Sequence, residues 1–103
     1  MIVVYRPEAV DDVRGIARWY RKHRSEGEAR FFARFRLTMR RIEGSPQAFP
    51  KTRIDDVVVV CKARILRSPY SIAFINDTAT ITILAVMHGS RAPSIWTRRL
   101  KRP

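Results

Sequence analysis

Acid is scarce in this chain. Nine Asp and Glu stand against 21 Lys and Arg, a formal net charge of +12 over 103 residues. Self-repulsion on that scale destabilises a compact monomer, so the balance points to an anionic partner, either a polyanion or an acidic protein. Most of the excess is arginine, whose planar fork pairs bidentately with phosphate or carboxylate. Cysteine is nearly absent. Cys61 stands alone, which excludes an intrachain disulfide and a cysteine-based zinc site. His23 and His88 are not at metal spacing, and no cofactor or metal is expected. Glycine is sparse too, at four residues. There is no Walker loop, G-x-G-x-x-G, H-E-x-x-H or serine elbow, so those enzyme classes are set aside. Long apolar runs are missing as well. The longest, Ile81 to Met87, is strand-sized, and residues 1–7 show no charged lead followed by an apolar stretch. Together these features predict a cytoplasmic location with no membrane involvement.

The apolar fraction is 46%, enough for one real core in one domain spanning 1–103. Ile2 to Tyr5 reads as a short strand. Val10, Val13, Ile16, Ala17 and Tyr20 then recur at helical spacing, predicting a helix from about Pro7 to Arg24 with Arg14, Arg18 and Arg21 on its far face. Trp19 falls off the apolar arc. Ser25-Glu26-Gly27-Glu28 carries a Ser-x-x-Glu capping box. A second helix is expected to run to about Glu43, with Phe32, Phe35, Met39 and Ile42 as its stripe and Phe31 at the edge. Arg30, Arg34 and Arg41 lie on its far face.

Gly44-Ser45-Pro46 stops that helix, and Pro50 closes the loop that follows. Val57 to Val60, Lys62 to Arg67, Ser71 to Ile75 and Thr80 to Met87 follow as apolar or mixed stretches rich in β-branched residues. Asn76-Asp77-Thr78 turns the last two into a hairpin. Pro93 to Leu100 predicts a short terminal helix that docks through Ile95 and Trp96. The expectation is an α+β domain of order β-α-α-β-β-β-α, an antiparallel helical hairpin packed on a mostly antiparallel sheet.

One constellation offers chemistry. Arg64 and Arg67 lie on or near a strand, and His88 and Arg91 follow the last one. If those strands are neighbours, an imidazole and several guanidinium groups converge at one edge of the sheet. That is a minimal kit for cleaving RNA through its 2′-hydroxyl. The bland alternative is a binding or capping cluster.

The string Arg64-Ile65-Leu66-Arg67-Ser68-Pro69-Tyr70-Ser71-Ile72-Ala73-Phe74, followed by Ile81 to Met87 and then His88-Gly89-Ser90-Arg91-Ala92-Pro93-Ser94-Ile95-Trp96, resembles the second half of RelE/ParE-type toxins of bacterial type II toxin–antitoxin modules. The first half fits as well: a short strand, a helix opening with Pro7-Glu8-Ala9, a helical hairpin, and a Pro-x-x-x-Pro loop at Pro46 and Pro50. The resemblance implies a cognate acidic antitoxin that wraps the toxin as a hetero-oligomer. It also implies a target. ParE-like members poison DNA gyrase, and RelE-like members cut mRNA on the ribosome. The long hairpin with Trp19 and its arginine-rich face looks ParE-like, and no tyrosine follows Tyr70, so gyrase is favoured. Ribosome-dependent mRNA cleavage and an inert binding module are the alternatives. Arg64, Arg67, His88 and Arg91 would be catalytic in the RelE-like case. Target or antitoxin binding is expected at Trp19, Arg30, Arg34, Arg41, Trp96, Arg98 and Arg99.

Overall fold

A computed structural model describes residues 2–54, 58–89 and 94–100. Strand β1 (Ile2–Tyr5) leads into helices α1 (Pro7–His23) and α2 (Ser25–Gly44). A 3₁₀ turn (Pro46–Ala48) precedes strands β2 (Lys51–Ile54), β3 (Val58–Arg64), β4 (Tyr70–Asn76) and β5 (Thr80–His88), and α3 (Ser94–Leu100) follows. Among the described residues the strands form one sheet in the order β1-β5-β4-β3-β2. Only β1 with β5 is parallel; the other pairs are antiparallel. The expected α+β architecture is present, with one strand more than expected. Lys51–Ile54 pairs with Val58–Cys61 at the sheet's far edge.

Pro7 opens α1, where its missing N–H costs nothing, and Glu8 sits in the first turn, facing the positive end of the helix dipole. The hairpin then turns within a single residue. The Arg24 N–H donates to the Tyr20 carbonyl, and the Gly27 N–H donates to the Arg24 carbonyl. Ser25 is therefore already helical, and α2 has no side-chain cap. This corrects the capping-box expectation. Glu28 instead accepts two hydrogen bonds from Arg21, at 2.9 and 3.2 Å.

So tight a turn rotates α2 relative to the expected stripe. Phe31, not Phe32, is the core residue, 3% exposed. Its ring meets Tyr20, Phe35 and Tyr70 at 5.8, 6.2 and 6.0 Å. Phe35, Met39 and Ile42 are buried as expected, joined by Thr38, whose hydroxyl donates back to the Arg34 carbonyl. These side chains cover the sheet face carrying Cys61, Ala63, Ile72, Phe74, Ile81, Ile83 and Val86. Each fully buried aliphatic or aromatic side chain contributes about 1.5–3 kcal/mol.

The opposite face holds a second, smaller core of Ile54, Val60, Ala73, Leu84, Ala85 and Trp96, closed by α3. Burial on both faces explains why β3, β4 and β5 read as unbroken apolar runs instead of alternating. It also conceals a bulge. Ala73 pairs with Ala85, but Phe74 pairs with Ile83, so Leu84 is an extra residue in β5. Leu84 and Ala85 both join the second core, while Ile83 and Val86 face the helices. The extra residue shifts the alternation beyond it. His88 thereby comes opposite Tyr70, on the hairpin side.

Candidate functional site

At the end of the sheet away from β1, the β3–β4 turn and the end of β5 come together. Gly89 N–H donates to the Pro69 carbonyl at 2.8 Å, and Ile65 N–H to the Tyr70 carbonyl at 2.9 Å. The turn itself is closed by Ser68 N–H on the Ile65 carbonyl. Arg67 lies at its third position with φ 57°, the only positive φ at a non-glycine among the described residues. Glycine or asparagine is the relaxed choice there. An arginine so placed costs on the order of 1–3 kcal/mol, a kind of strain that clusters at functional sites.

Around this turn lies a cleft of about 980 Å³ whose basic lining comes from Arg41, Lys62, Arg64, Arg67 and His88. Backbone carbonyls and aromatic rings position four of them. Lys62 Nζ donates to the Gly89 carbonyl at 3.2 Å, and Arg64 Nε to the Ser68 carbonyl at 3.2 Å. The Arg41 guanidinium lies 5.5 Å from the Phe49 ring centre, and Phe49 packs edge-on against Phe74. The His88 ring meets Tyr70 edge-on at 6.1 Å. The ion pairs Arg6–Glu8, Arg21–Glu28, Arg30–Glu26 and Arg99–Asp12 lie elsewhere. The cleft thus concentrates positive charge held by carbonyls and an aromatic face, with no carboxylate among the described residues that line it.

The structure brings Arg64, Arg67 and His88 to one cleft, but not onto one face. Arg64 pairs with Ser71, two residues from Ala73 of the second core. His88 pairs with Tyr70, which packs on the hairpin side. Strand alternation therefore sends the two side chains to opposite faces of the sheet. Arg91 lies outside the described residues.

The expected binding residues divide similarly. Trp19 is 47% exposed, and its ring stacks on His23 at 4.7 Å and 19°. Arg30 and Arg41 are exposed, and Arg34 donates to the Arg67 carbonyl at 3.3 Å. Arg98 is exposed on α3. Trp96 does not present a surface: it is 5% exposed, in the second core. Its indole N–H finds no acceptor among the described residues. Arg99 is also taken up internally, by Asp12. Both placements have one cause. The short α3 must bury its apolar side against the sheet, and Trp96 and Arg99 lie on that side.

A further cleft, about 700 Å³, opens between α1 and the end of β5, with Trp19, Gly15, Met87 and Ile95 on its walls. It lies outside the expected sites: β1 ends opposite Ile83, leaving the β5 edge beyond it without a strand neighbour among the described residues. The short first strand is the signal that marks it.

The model of the ParE toxin of type II toxin–antitoxin system, parDE, matches residues 3–93. The chain belongs to the ParE toxin family. It is thus a toxin of a type II toxin–antitoxin system, and an antitoxin is its implied partner. No curated protein matches the chain. The matched span takes in β1, the whole hairpin and β2 to β5, so every basic residue of the cleft lies within it. No helix of the described residues is long and apolar enough to cross a membrane.

Proposed function

We propose that this toxin acts in the cytoplasm by inhibiting DNA gyrase and is neutralised by an acidic antitoxin. The observation that carries the reading is the placement of His88 and Arg64 on opposite faces of the sheet. Cleavage through a 2′-hydroxyl needs a proton-transfer group and charge stabilisation converging on one phosphate. A strand alternation that divides them favours a surface that binds over one that cuts. The hairpin supports the same reading. It presents Trp19, half exposed, beside the arginines of α1, and aromatic and arginine side chains dominate protein–protein recognition.

The alternative, ribosome-dependent mRNA cleavage, draws on the shared cleft of Arg64, Arg67 and His88. One experiment separates the two. Purified toxin is added to a gyrase supercoiling assay on relaxed plasmid, and in parallel to ribosome-bound message read by primer extension. The gyrase reading expects supercoiling to fail while the message stays intact. Codon-positioned cuts with unimpaired supercoiling would overturn it. Antitoxin added in equimolar amount should restore supercoiling.

A further inference from the structure

The basic cleft does not end at the β3–β4 turn. A second cleft of about 690 Å³ lies on the hairpin side, with Arg24, Arg30 and Arg34 on its walls, and it shares Arg67 and Pro69 with the first. The charge therefore runs as one path: Arg30 and Arg34 on α2, Arg67 at the crest of the turn, then Arg64 and Lys62 on the other side. Among the described residues that line it, only Glu26 brings a negative charge, 3.7 Å from Arg30 and exposed. Arg67 stands where the two clefts meet, in the strained left-handed conformation, and its carbonyl is held by Arg34.

We propose that this path is a binding track for a single nucleic-acid strand, gripped through its phosphodiester backbone and not cut. Three features favour that ligand. Two joined clefts suit a polymer better than one isolated anion. Four guanidinium groups and an ammonium, at successive points along the path, match a chain that repeats one charge per nucleotide. Leu66, 58% exposed beside Arg67, and the Phe49 ring in the same cleft give bases an apolar ledge between phosphates. An acidic peptide shares the charge but has no bases for the ledge. The grip does not depend on gyrase being the target, because it is measured on the toxin alone.

The test is fluorescence anisotropy of the purified full chain with labelled single-stranded DNA, the same sequence as RNA, and a glutamate-rich peptide of equal length. Both nucleic acids should bind, with log affinity falling against log salt at a slope of about −3 if about four phosphates are contacted. Binding of either nucleic acid supports the track, and the tighter arm names its source. Arg67→Gly is the informative variant, since glycine relaxes the turn and the fold should melt no lower. It should weaken binding about tenfold and reduce the slope by about 0.7. Arg64→Gln, on an exposed side chain, should do the same and guards against a folding artefact in the first variant. The oligonucleotides should be recovered full length. The proposal is overturned if both variants bind like wild type, or if the peptide binds as tightly as the strands. It is equally overturned if Arg14→Gln with Arg18→Gln, on the outer face of α1, weakens binding as much, or if the RNA is cleaved.

Discussion

Asp12 grips Arg99 with both carboxylate oxygens, at 2.6 and 3.0 Å, and one of those oxygens also accepts the Val86 N–H at 2.9 Å. Arg99 in turn donates to the Leu84 carbonyl at 3.2 Å. A carboxylate of α1 and a guanidinium of α3 together satisfy the backbone of β5 at its bulge, where β1 has already ended. Asp12→Ala removes both ties, leaving a partly buried cation without its carboxylate and the Val86 N–H without its acceptor. The expected loss is about 2–3 kcal/mol in a urea titration. Trp96 fluorescence should shift before the main transition as α3 loosens. A variant as stable as wild type would show that the pair is ornamental.

The hairpin seam makes a sharper claim. Phe31→Ala should cost about 3–5 kcal/mol, as should Phe35→Ala, because each empties a buried aromatic site. Phe32→Ala removes a half-buried ring and should cost under about 2 kcal/mol. Equal losses at Phe31 and Phe32 in denaturant titrations would contradict the observed rotation of α2.

That rotation shows what a sequence can and cannot disclose. The helices are legible because Ile16, Ala17, Phe35, Met39 and Ile42 repeat at helical spacing. Phe31 and Phe32 are adjacent, and the choice between them depends on a one-residue turn that no periodicity encodes. β2 is hidden because Lys51-Thr52-Arg53-Ile54 buries only Ile54, and an edge strand with charged outer positions carries half a pattern. The meeting of Arg64, Arg67 and His88 follows from chain order and the neighbouring strands. Their separation by face does not, since it turns on Leu84, one apolar residue inside an apolar run.

Two glycines should respond oppositely to alanine. A Cβ on Gly27 would lie 2.6 Å from the Tyr20 ring, whereas one on Gly15 would meet nothing within 4 Å. Gly15→Ala should therefore stabilise by about 0.5–1 kcal/mol through helix propensity. Gly27→Ala should destabilise by about 1–2 kcal/mol, overpacking outweighing the same propensity gain. Paired thermal melts decide it; two gains would mean that the hairpin turn yields freely.

Cys61 gives a pH signature. Burial pushes its thiol above the ordinary range, with the Lys51 charge pulling less strongly the other way. The folded state keeps a proton that the unfolded chain gives up. The resulting stability is fully present below the ordinary thiol pKa, about 8.5, and is lost as pH rises through the folded value. The stability difference between wild type and Cys61→Ala should shrink from about pH 7.5 to about pH 10. Alkylation at neutral pH should be slow until the chain unfolds. Rapid modification of the native protein would place the thiol in a far more open site.

The antitoxin complex separates charge from contact. At +12, the toxin would attract the proposed acidic antitoxin over a distance, so charge should govern how fast the two meet. Added salt should then slow association much more than it speeds dissociation. The lifetime should rest on apolar anchors instead, and Trp19 is the exposed candidate, 47% open on α1 at the wall of the cleft beside β5. An antitoxin segment seated in that cleft would pack against the Trp19 ring. Trp19→Ala leaves a half-exposed site and should change stability little. It should raise the dissociation rate about tenfold or more and leave association nearly untouched. Stopped-flow association and surface-binding dissociation across a salt series measure the two halves independently. Association indifferent to salt would remove electrostatic steering. Dissociation indifferent to Trp19→Ala would move the antitoxin's anchor off this cleft, leaving the exposed tryptophan to the toxin's target.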